Sequence, residues 1–455
     1  MNKDYLIYKL SETVKETSRI ENDLFKRYGV KRGLRNEDHS GVLVGLTNIG
    51  DVVGYERVEG ADGKGELKAI PGKLLYRGIE VSDLVHGVQA ENRLGYEETA
   101  FLLLSGYLPD REELETFANL LNEQMVLRHA AKMNILQLYG NDIMNILARS
   151  VLVLYAFDEQ ADDTSRDNLV RQSVDLIAKF PSIIAYAYHT MNHNKNGGSL
   201  HIRIPKPGFS LAENFIYMMK GSKGYTPLDV KVLDLCLILH AEHGGGNNST
   251  FTTRVTSSSG TDTYSSIAAA IGSLKGPLHG GANLQVIDMF AHLREAIADW
   301  TDEAEIKAYL MRMLRKEVYD KKGLIYGIGH AVYTISDPRA LLLKEMARSL
   351  AQEKGREREF DFLELVERLG VESFMEFKGN SVNKRVCANV DFYSGFVYDM
   401  IGLPREVYTP LFAMSRIAGW VAHRIEELNF DSRRIIRPAY KNVAEGTGYR
   451  PLNKR

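Results

Sequence analysis

The sequence is poor in cysteine, in net charge and in long apolar runs, and each shortage excludes a class of protein. Two cysteines, Cys236 and Cys387, among 455 residues predict a reducing, cytoplasmic environment without a disulfide framework. A formal net charge of −2 gives no general attraction to nucleic acid or to an anionic membrane, so we expect neither as a partner. No apolar run is long enough to cross a bilayer, and the first residues lack the apolar core of a signal peptide.

The sequence also lacks the glycine-rich loops that cradle nucleotide phosphates. Neither its Gly-Lys pairs nor the Gly-Ile-Gly stretch at 327–329 belongs to a Gly-x-x-x-x-Gly-Lys-Ser/Thr motif or to a strand-glycine-helix unit. What the chain does have is 44% hydrophobic and 25% charged residues, which is ordinary for a globular protein of two or more domains.

Apolar residues recur at helical spacing through most of the chain, so a mainly α fold is predicted. Helices are predicted over residues 6–28, 96–104, 111–129, 142–157, 167–178, 182–191, 211–219 and 227–243. Near the amino terminus, apolar runs at 42–46 and 52–58 flank Gly50 and Asp51 and predict a small β-hairpin. The glycine-rich stretch that follows, up to Gly72, is interpreted as a loop.

The segment Gly-Pro-Leu-His-Gly-Gly-Ala-Asn, from Gly276 to Asn283, is predicted to be a short turn between two helices. Gly276 and Pro277 should end the first helix, so His279 falls close to the amino end of the second. A helix amino terminus disfavours the imidazolium, and we expect a neutral ring that donates a hydrogen bond. The alternative is a histidine that merely closes a tight helical turn.

A second histidine motif, His-Ala-Glu-His-Gly-Gly-Gly-Asn, ends at Asn247. His240 and His243 share a helix face and raise the possibility of a metal pair. No His-Glu-x-x-His pattern is present, and no nearby cysteine or carboxylate completes a site. Histidine is also favoured at a helix carboxyl terminus by the dipole alone.

Three more segments place charged or titratable residues at helix starts or in glycine turns. His330 lies in Gly-Ile-Gly-His, and Asp337-Pro338-Arg339 opens a helix. Arg339 in the first turn opposes the helix dipole and needs an anion, which either Asp337 or a ligand would supply. Asp391, just ahead of another helix, is an N-cap or a general base.

Arg416 lies in a helix that is apolar nearly all round, since Ser415 is the only other polar residue between 411 and 422. A buried guanidinium without a partner costs several kcal/mol, so a carboxylate or phosphate is required, from the protein or from a ligand. The arginines of the tail, at 433, 434 and 437, have an ordinary explanation as a solvated basic face.

Taken together, these motifs resemble those of the citrate synthase family, in the same order, over about residues 41–440. The resemblance includes Gly-Ile-Gly-His-Ala-Val-Tyr with Asp-Pro-Arg, Asn-Val-Asp-Phe-Tyr-Ser-Gly, Ser-Arg-Ile-Ala-Gly-Trp-Val-Ala-His and Ile-Arg-Pro-x-Tyr. It implies an acyltransferase of the citrate (Si)-synthase type, in the tricarboxylic acid cycle, that condenses acetyl-CoA with oxaloacetate. The resemblance implies no metal or redox cofactor, and acetyl-CoA counts as a substrate of the reaction.

The resemblance also implies roles for individual residues. Asp391 would be the general base, His279 would stabilise the enolate, and His330 would polarise and protonate the oxaloacetate carbonyl. Oxaloacetate would be held by His243, Asn247, Arg339, Arg416 and Arg437. The sequence departs from the family at Ala331 and Thr334, where many members carry basic residues, so Lys384 and Arg385 are the candidates for binding the CoA phosphates.

The implied architecture is a two-domain helical fold in a homodimer, with Arg437 shared across the interface. Residues 41–280 and 392–455 would form a large dimerisation domain, residues 281–391 a small mobile domain on the CoA side, and residues 1–40 a helical extension. A 2-methylcitrate synthase that uses propionyl-CoA would carry the same motifs. More distant alternatives are a metal-dependent hydrolase built on His240, His243 and Asp391, and a non-catalytic helical scaffold. Acyl preference, regulation by NADH or ATP, and assembly beyond the dimer are left open.

Overall fold

The computed structural model describes residues 2–36, 40–59, 65–379, 385–444, 446 and 448–454. The chain forms two compact units, Met1–Leu46 and Thr47–Arg455. The division of the second unit into a large and a small domain stays a prediction.

The described residues of the first unit form two α-helices, α1 (Lys3–Thr17) and α2 (Asn22–Arg27), and neither has a buried residue. The prediction of one helix over 6–28 is therefore wrong in detail. Helix α1 ends at Thr17, and the backbone N–H of the C-cap residue Ser18 donates to the carbonyls of Val14 and Glu16.

The second unit opens with a three-stranded antiparallel sheet in the order β1-β2-β3, made of Gly50–Glu59, Gly65–Tyr76 and Ile79–Glu80. The predicted hairpin is present, but its position was wrong. The run at 42–46 lies outside the strands and exposes Leu43 and Leu46, whereas the stretch interpreted as a loop supplies β2. Its glycines hid the alternation that buries Leu74 and Tyr76.

The rest of the second unit is helical, which confirms the mainly α prediction. The helices are α3 (Val81–Ala90), α4 (Tyr96–Ser105), α5 (Arg111–Gln124), α6 (His129–Leu136), α7 (Ile143–Tyr155), α8 (Arg166–Asn196), α9 (Leu211–Lys220), α10 (Pro227–His240), α11 (Asn248–Ser258), α12 (Thr263–Lys275), α13 (Ala282–Ala296), α14 (Glu303–Leu314), α15 (Pro338–Lys354), α16 (Glu357–Phe377), α17 (Asp391–Ile401) and α18 (Tyr408–Leu428). Helix α8 runs through Pro181, where a break between two helices was predicted. Burial of its flanking apolar residues outweighs the lost backbone hydrogen bond.

Helix α18 forms the centre of the core and packs against α4, α8, α10, α11 and α12. Helix α10 begins at a capping box formed by Thr226 and Asp229, and it packs against both α18 and α15. Among the residues that the structure describes, no helix is long and apolar enough to span a membrane.

Candidate active site

Most of the residues singled out in the sequence lie at helix ends that surround the middle of α18. His243 follows α10, Asn247 precedes α11, His279 lies in the turn between α12 and α13, Arg339 begins α15, Asp391 begins α17 and Arg416 lies within α18. Helix termini leave backbone groups unpaired, and the loops between them give short side chains access to a common space.

The His279 turn is built as the sequence predicts, with α12 ending at Lys275 and α13 beginning at Ala282. Burial, together with the positive charge of Arg416, lowers the pKa of His279 to about 4. Burial and a nearby cation thus both favour the neutral ring, and the additional effect expected from the helix terminus stays a prediction. The Ser249 backbone N–H donates to His279 Nε2 over 3.4 Å, so the ring proton resides on Nδ1.

His330 has the tautomer opposite to that of His279, with its proton on Nε2. Its Nδ1 accepts the backbone N–H groups of Val332 at 3.1 Å and Tyr333 at 3.0 Å, which leaves the proton of the neutral ring on Nε2. The ring stacks on Tyr333 with 4.6 Å between centroids and meets His243 edge to face at 5.1 Å.

The segment before Asp391 is hydrogen-bonded to the loop that carries His330. The Asn389 backbone N–H donates to the carbonyl of Gly327 at 2.8 Å, and the Asn389 side chain donates to the carbonyl of Gly329 at 2.9 Å. The Asp391 backbone N–H in turn donates to Asn389 Oδ1 at 3.0 Å. These bonds fix the start of α17 against the glycine turn.

Asp391 is the first residue of α17 and does not cap it, because Val390 occupies the N-cap position and no side-chain cap bond is formed there. The structure therefore excludes the helix N-cap, which was one of the two roles that the sequence allowed for Asp391. Loss of hydration raises the pKa of Asp391 to about 6, although the positive charges of Arg339 and Arg416 act in the opposite direction. A carboxylate with such a pKa is ionised at neutral pH and is a stronger base than an ordinary aspartate.

Arg339 is buried and paired with Asp337. Its Nε donates to Asp337 Oδ1 at 3.0 Å and its Nη2 donates to Oδ2 at 2.7 Å. Although burial opposes ionisation, the Asp337 carboxylate raises the pKa of Arg339. The sequence allowed either Asp337 or a ligand as the anion, and the structure shows that Asp337 is bound. Nη1 of Arg339 takes no part in this pair of hydrogen bonds.

Arg416 is fully buried and differs from Arg339 in that no carboxylate of the described residues is bonded to it. Its Nε donates to the carbonyl of His240 at 2.6 Å, and its guanidinium carbon lies 4.7 Å from the centroid of the Phe412 ring. Neither Nη1 nor Nη2 has a hydrogen-bond partner within the described part of the chain. Burial lowers the pKa of Arg416 to about 10, with Glu242 acting against that shift.

His243 is a second residue of this cluster with an unpaired buried nitrogen, since its Nε2 has no partner among the described residues. Burial holds the pKa of His243 well below its usual range, and Arg339 and His330 add to the effect. His240 points elsewhere: its Nδ1 donates to the Cys236 carbonyl at 2.8 Å and its ring packs on Phe412. Within the described ranges, no group of three or more metal-ligating side chains is found.

Other predicted residues are not gathered into this cluster. Arg437 is exposed on the tail, and Arg385 is exposed ahead of α17. Lys384 lies outside the described residues. Asn247 is at the cluster but does not use its side chain as a helix cap; Oδ1 accepts the Ser249 hydroxyl at 3.0 Å.

Three contributors were missed from the sequence. Ser249 contacts His279, Phe412 contacts His240, His279 and Arg416, and Tyr333 contacts His243, His330 and Arg339. Tyr333 belongs to the motif around His330, and its aromatic side chain in a polar glycine turn was the available signal. Phe412 carried none, because it reads as one more apolar residue of a buried helix.

The chain is similar to known proteins in sequence and in fold. A sequence model described as "Citrate synthase, C-terminal domain" matches residues 38–439. The chain is 35% identical over 389 residues to the citrate synthase of Acidithiobacillus ferridurans, covering 82% of this chain and 90% of that relative. It is 34% identical over 374 residues to the 2-methylcitrate synthase of Shewanella oneidensis, covering 80% and 87%. The solved citrate synthase of Thermoplasma acidophilum, a ternary complex with carboxymethyl coenzyme A and oxaloacetate, superimposes with a TM-score of 0.74 at 26% identity, covering 94% of this chain and 99% of that one.

Proposed function

The chain belongs to the citrate synthase family, and from this premise we propose that it condenses acetyl-CoA with oxaloacetate and hydrolyses the resulting citryl-CoA to citrate and CoA. The observation that carries the proposal is the unpaired guanidinium of Arg416. Its two terminal nitrogens and His243 Nε2 are buried and have no hydrogen-bond partner among the described residues. A buried cation of this kind requires an anionic ligand, and oxaloacetate is a dianion.

Oxaloacetate binding follows from the donors around Arg416. One carboxylate accepts from Nη1 and Nη2 of Arg416, and His243 and Arg339 donate to the remaining oxygens together with Asn247. The pairing of Arg339 with Asp337 orients its guanidinium, because a fork of two hydrogen bonds fixes the plane. Arg437 would complete the site from a second subunit, which makes a homodimer part of the proposal.

Asp391 and His279 act together on acetyl-CoA. The methyl group is a weak acid, so its proton moves to the Asp391 carboxylate only while the thioester oxygen receives a hydrogen bond. Neutral His279 supplies that bond from Nδ1–H, since Ser249 occupies Nε2. His279 can stabilise the developing enolate as a neutral hydrogen-bond donor, because burial of the ring disfavours the charged imidazolium.

His330 acts on the other substrate. Its Nε2–H donates to the ketone oxygen of oxaloacetate and polarises the carbonyl. As the enolate carbon attacks, the carbon–carbon bond forms, the carbonyl π electrons move to oxygen, and that oxygen takes the Nε2 proton to become the tertiary hydroxyl of citryl-CoA. The proton that Asp391 removed from the methyl group is then given back through solvent to the His330 ring, so both groups return to their starting states. Water then cleaves the thioester, and CoA leaves. Closure of the proposed small domain over the large one would exclude water until condensation is complete.

The acyl donor and the metal requirement are settled by one experiment. Thiol release is measured with acetyl-CoA and with propionyl-CoA, each with and without oxaloacetate, for the wild type and for Asp391→Asn. The proposal predicts a signal that depends on oxaloacetate, is larger with acetyl-CoA, survives a chelator and is lost in the variant. Preference for propionyl-CoA would favour a 2-methylcitrate synthase, which is the second candidate because the Shewanella relative bears that name. Loss of activity with chelator would favour the metal hydrolase.

A cytoplasmic location, expected from the cysteine content, stays a prediction. The binding of CoA phosphates by Arg385 and Lys384 stays a prediction as well. Substituting Arg385 by glutamine should raise the KM for acetyl-CoA and leave the KM for oxaloacetate unchanged.

A further inference from the structure

The loop from His330 to Ser336 packs directly against the β1–β2 hairpin. The Gly72 backbone N–H donates to the Ser336 carbonyl at 3.1 Å. The Tyr333 hydroxyl donates to the carbonyl of Lys73 at 3.3 Å. Strand β2 therefore holds the loop at two adjacent residues, and both bonds reach across more than 250 residues of sequence.

Two glycines make this approach possible, and both are required for space. A Cβ at Gly54 would lie 2.4 Å from the Val332 carbonyl oxygen. A Cβ at Gly72 would lie 2.2 Å from the Ser336 carbonyl oxygen and 2.5 Å from Tyr333 Cδ1. Such distances are too short for any side chain, so hairpin and loop are in backbone contact that only glycine allows.

Tyr333 connects this contact to the proposed site. Its side chain is fully buried. One face lies on His330, with an interplanar angle of 20°. The ring meets His243 at 5.8 Å and 87°, and the Arg339 guanidinium carbon lies 5.8 Å from its centroid. Tyr333 thus touches three proposed site residues while its hydroxyl is tied to the hairpin. Burial raises the pKa of Tyr333, so the phenol stays protonated and donates.

We propose that Tyr333 is a positioning residue that fixes the His330 imidazole, and that the β1–β2 hairpin anchors it through Gly54 and Gly72. The hydrogen bonds to Nδ1 hold one edge of the His330 ring. Stacking on Tyr333 restricts rotation about that edge and keeps Nε2–H directed at the ketone oxygen. The inference rests on the proposed function, because it assigns a purpose to the orientation of His330 in that reaction. A misplacement of about 1 Å in such a donor typically costs about a hundredfold in rate.

The test compares Tyr333→Leu, which removes the ring, with Tyr333→Phe, which keeps the ring and removes the hydroxyl. Tyr264→Leu is the matched control, since Tyr264 is equally buried and its hydroxyl bonds to Asp158 away from the site. We expect Tyr333→Leu to lower kcat about 30-fold or more with little change in the KM for acetyl-CoA, and Tyr333→Phe and Tyr264→Leu to keep kcat within about threefold. Equal losses in Tyr333→Leu and Tyr264→Leu would overturn the proposal.

Backbone anchoring is tested by Gly72→Ala, with Gly87→Ala as control, since a Cβ at Gly87 meets no atom within 4 Å. Gly72→Ala should reproduce the kcat loss of Tyr333→Leu, and Gly87→Ala should not. Unchanged kcat in Gly72→Ala would refute the anchoring.

A readout independent of activity separates this proposal from the proposed function. In the full-length protein labelled with ¹⁵N-histidine, the His330 signals are assigned by comparison with His330→Gln. The wild type should show a single Nε2-protonated tautomer, and Tyr333→Leu a mixture or exchange broadening. If the wild type releases no thiol, the proposed function fails while this spectrum still decides the positioning. An identical His330 spectrum in Tyr333→Leu would overturn the positioning even in an active enzyme.

Discussion

Replacing Arg416 by methionine should weaken oxaloacetate binding a few hundredfold without destabilising the fold, and this combination distinguishes a substrate site from a structural ion pair. Burial lowers the pKa of Arg416 from 12.5 to about 10, which corresponds to about 3 kcal/mol of unfavourable free energy in the folded state. Because the folded pKa is depressed, this penalty is complete below pH 10 and disappears only between pH 10 and 12.5. It is therefore fully present at neutral pH.

The substitution also removes favourable contacts. The hydrogen bond to His240 and the contact with Phe412 contribute about 1 kcal/mol each. The free energy of unfolding should consequently stay the same or rise by about 1 kcal/mol. Oxaloacetate should lose two charge-assisted hydrogen bonds worth about 3–4 kcal/mol together, a few hundredfold in Kd.

The assay is urea unfolding with and without oxaloacetate, together with calorimetric binding. At 100 times Kd, oxaloacetate should add about 2.7 kcal/mol to the stability of the wild type and nothing measurable to that of Arg416→Met. The matched control is Arg424→Met on the same helix. Arg424 is equally buried and its pKa is also lowered to about 10 by burial, but its three donor nitrogens bond to Thr263, Ser257 and Thr261.

Arg424→Met should therefore leave the response to oxaloacetate unchanged. If Arg416→Met lost more than about 3 kcal/mol of stability and still bound oxaloacetate normally, the guanidinium would be a structural group, and the reasoning would be refuted.

Three further predictions concern the reacting groups and the subunit interface. Because the pKa of Asp391 is raised to about 6, kcat/KM should fall tenfold per pH unit below pH 6, and a profile that stays flat to pH 5 would contradict the role of this carboxylate. Ser249→Ala leaves the backbone N–H to His279 in place but removes the hydroxyl between His279, Asn247 and Trp420, so kcat should fall about three- to tenfold; no change would mean that the backbone bond alone fixes the ring. Random mixing of Arg437→Ala with Asp391→Asn subunits should restore about a quarter of wild-type activity, since half of the dimers carry one intact site, whereas activity no higher than that of the two parents would show that Arg437 is not shared.

The helical fold was predictable because buried helices carry a 3.6-residue apolar period. Strand β2 was not, because glycine at positions such as Gly72 serves a close approach to a loop that is distant in sequence. The chemistry of the site divides in the same way. The sequence showed that Arg339 and Arg416 each needed an anion. It could not show that Asp337 pairs with Arg339 while no described carboxylate pairs with Arg416, because these pairings depend on tertiary packing. The role of Phe412 could be recognised only from the side chains that it contacts, whereas Tyr333 was an unused signal within the His330 motif.

The central claim is that this site forms a carbon–carbon bond, and the product of acetyl-CoA labelled with ¹³C in the methyl group tests it most directly. With oxaloacetate and the wild type, carbon NMR should show the label in a methylene group of citrate, and Asp391→Asn should leave it in acetyl-CoA. Label that appears in free acetate would mean that the protein only hydrolyses the thioester, and the account of Asp391, His279 and His330 would be wrong.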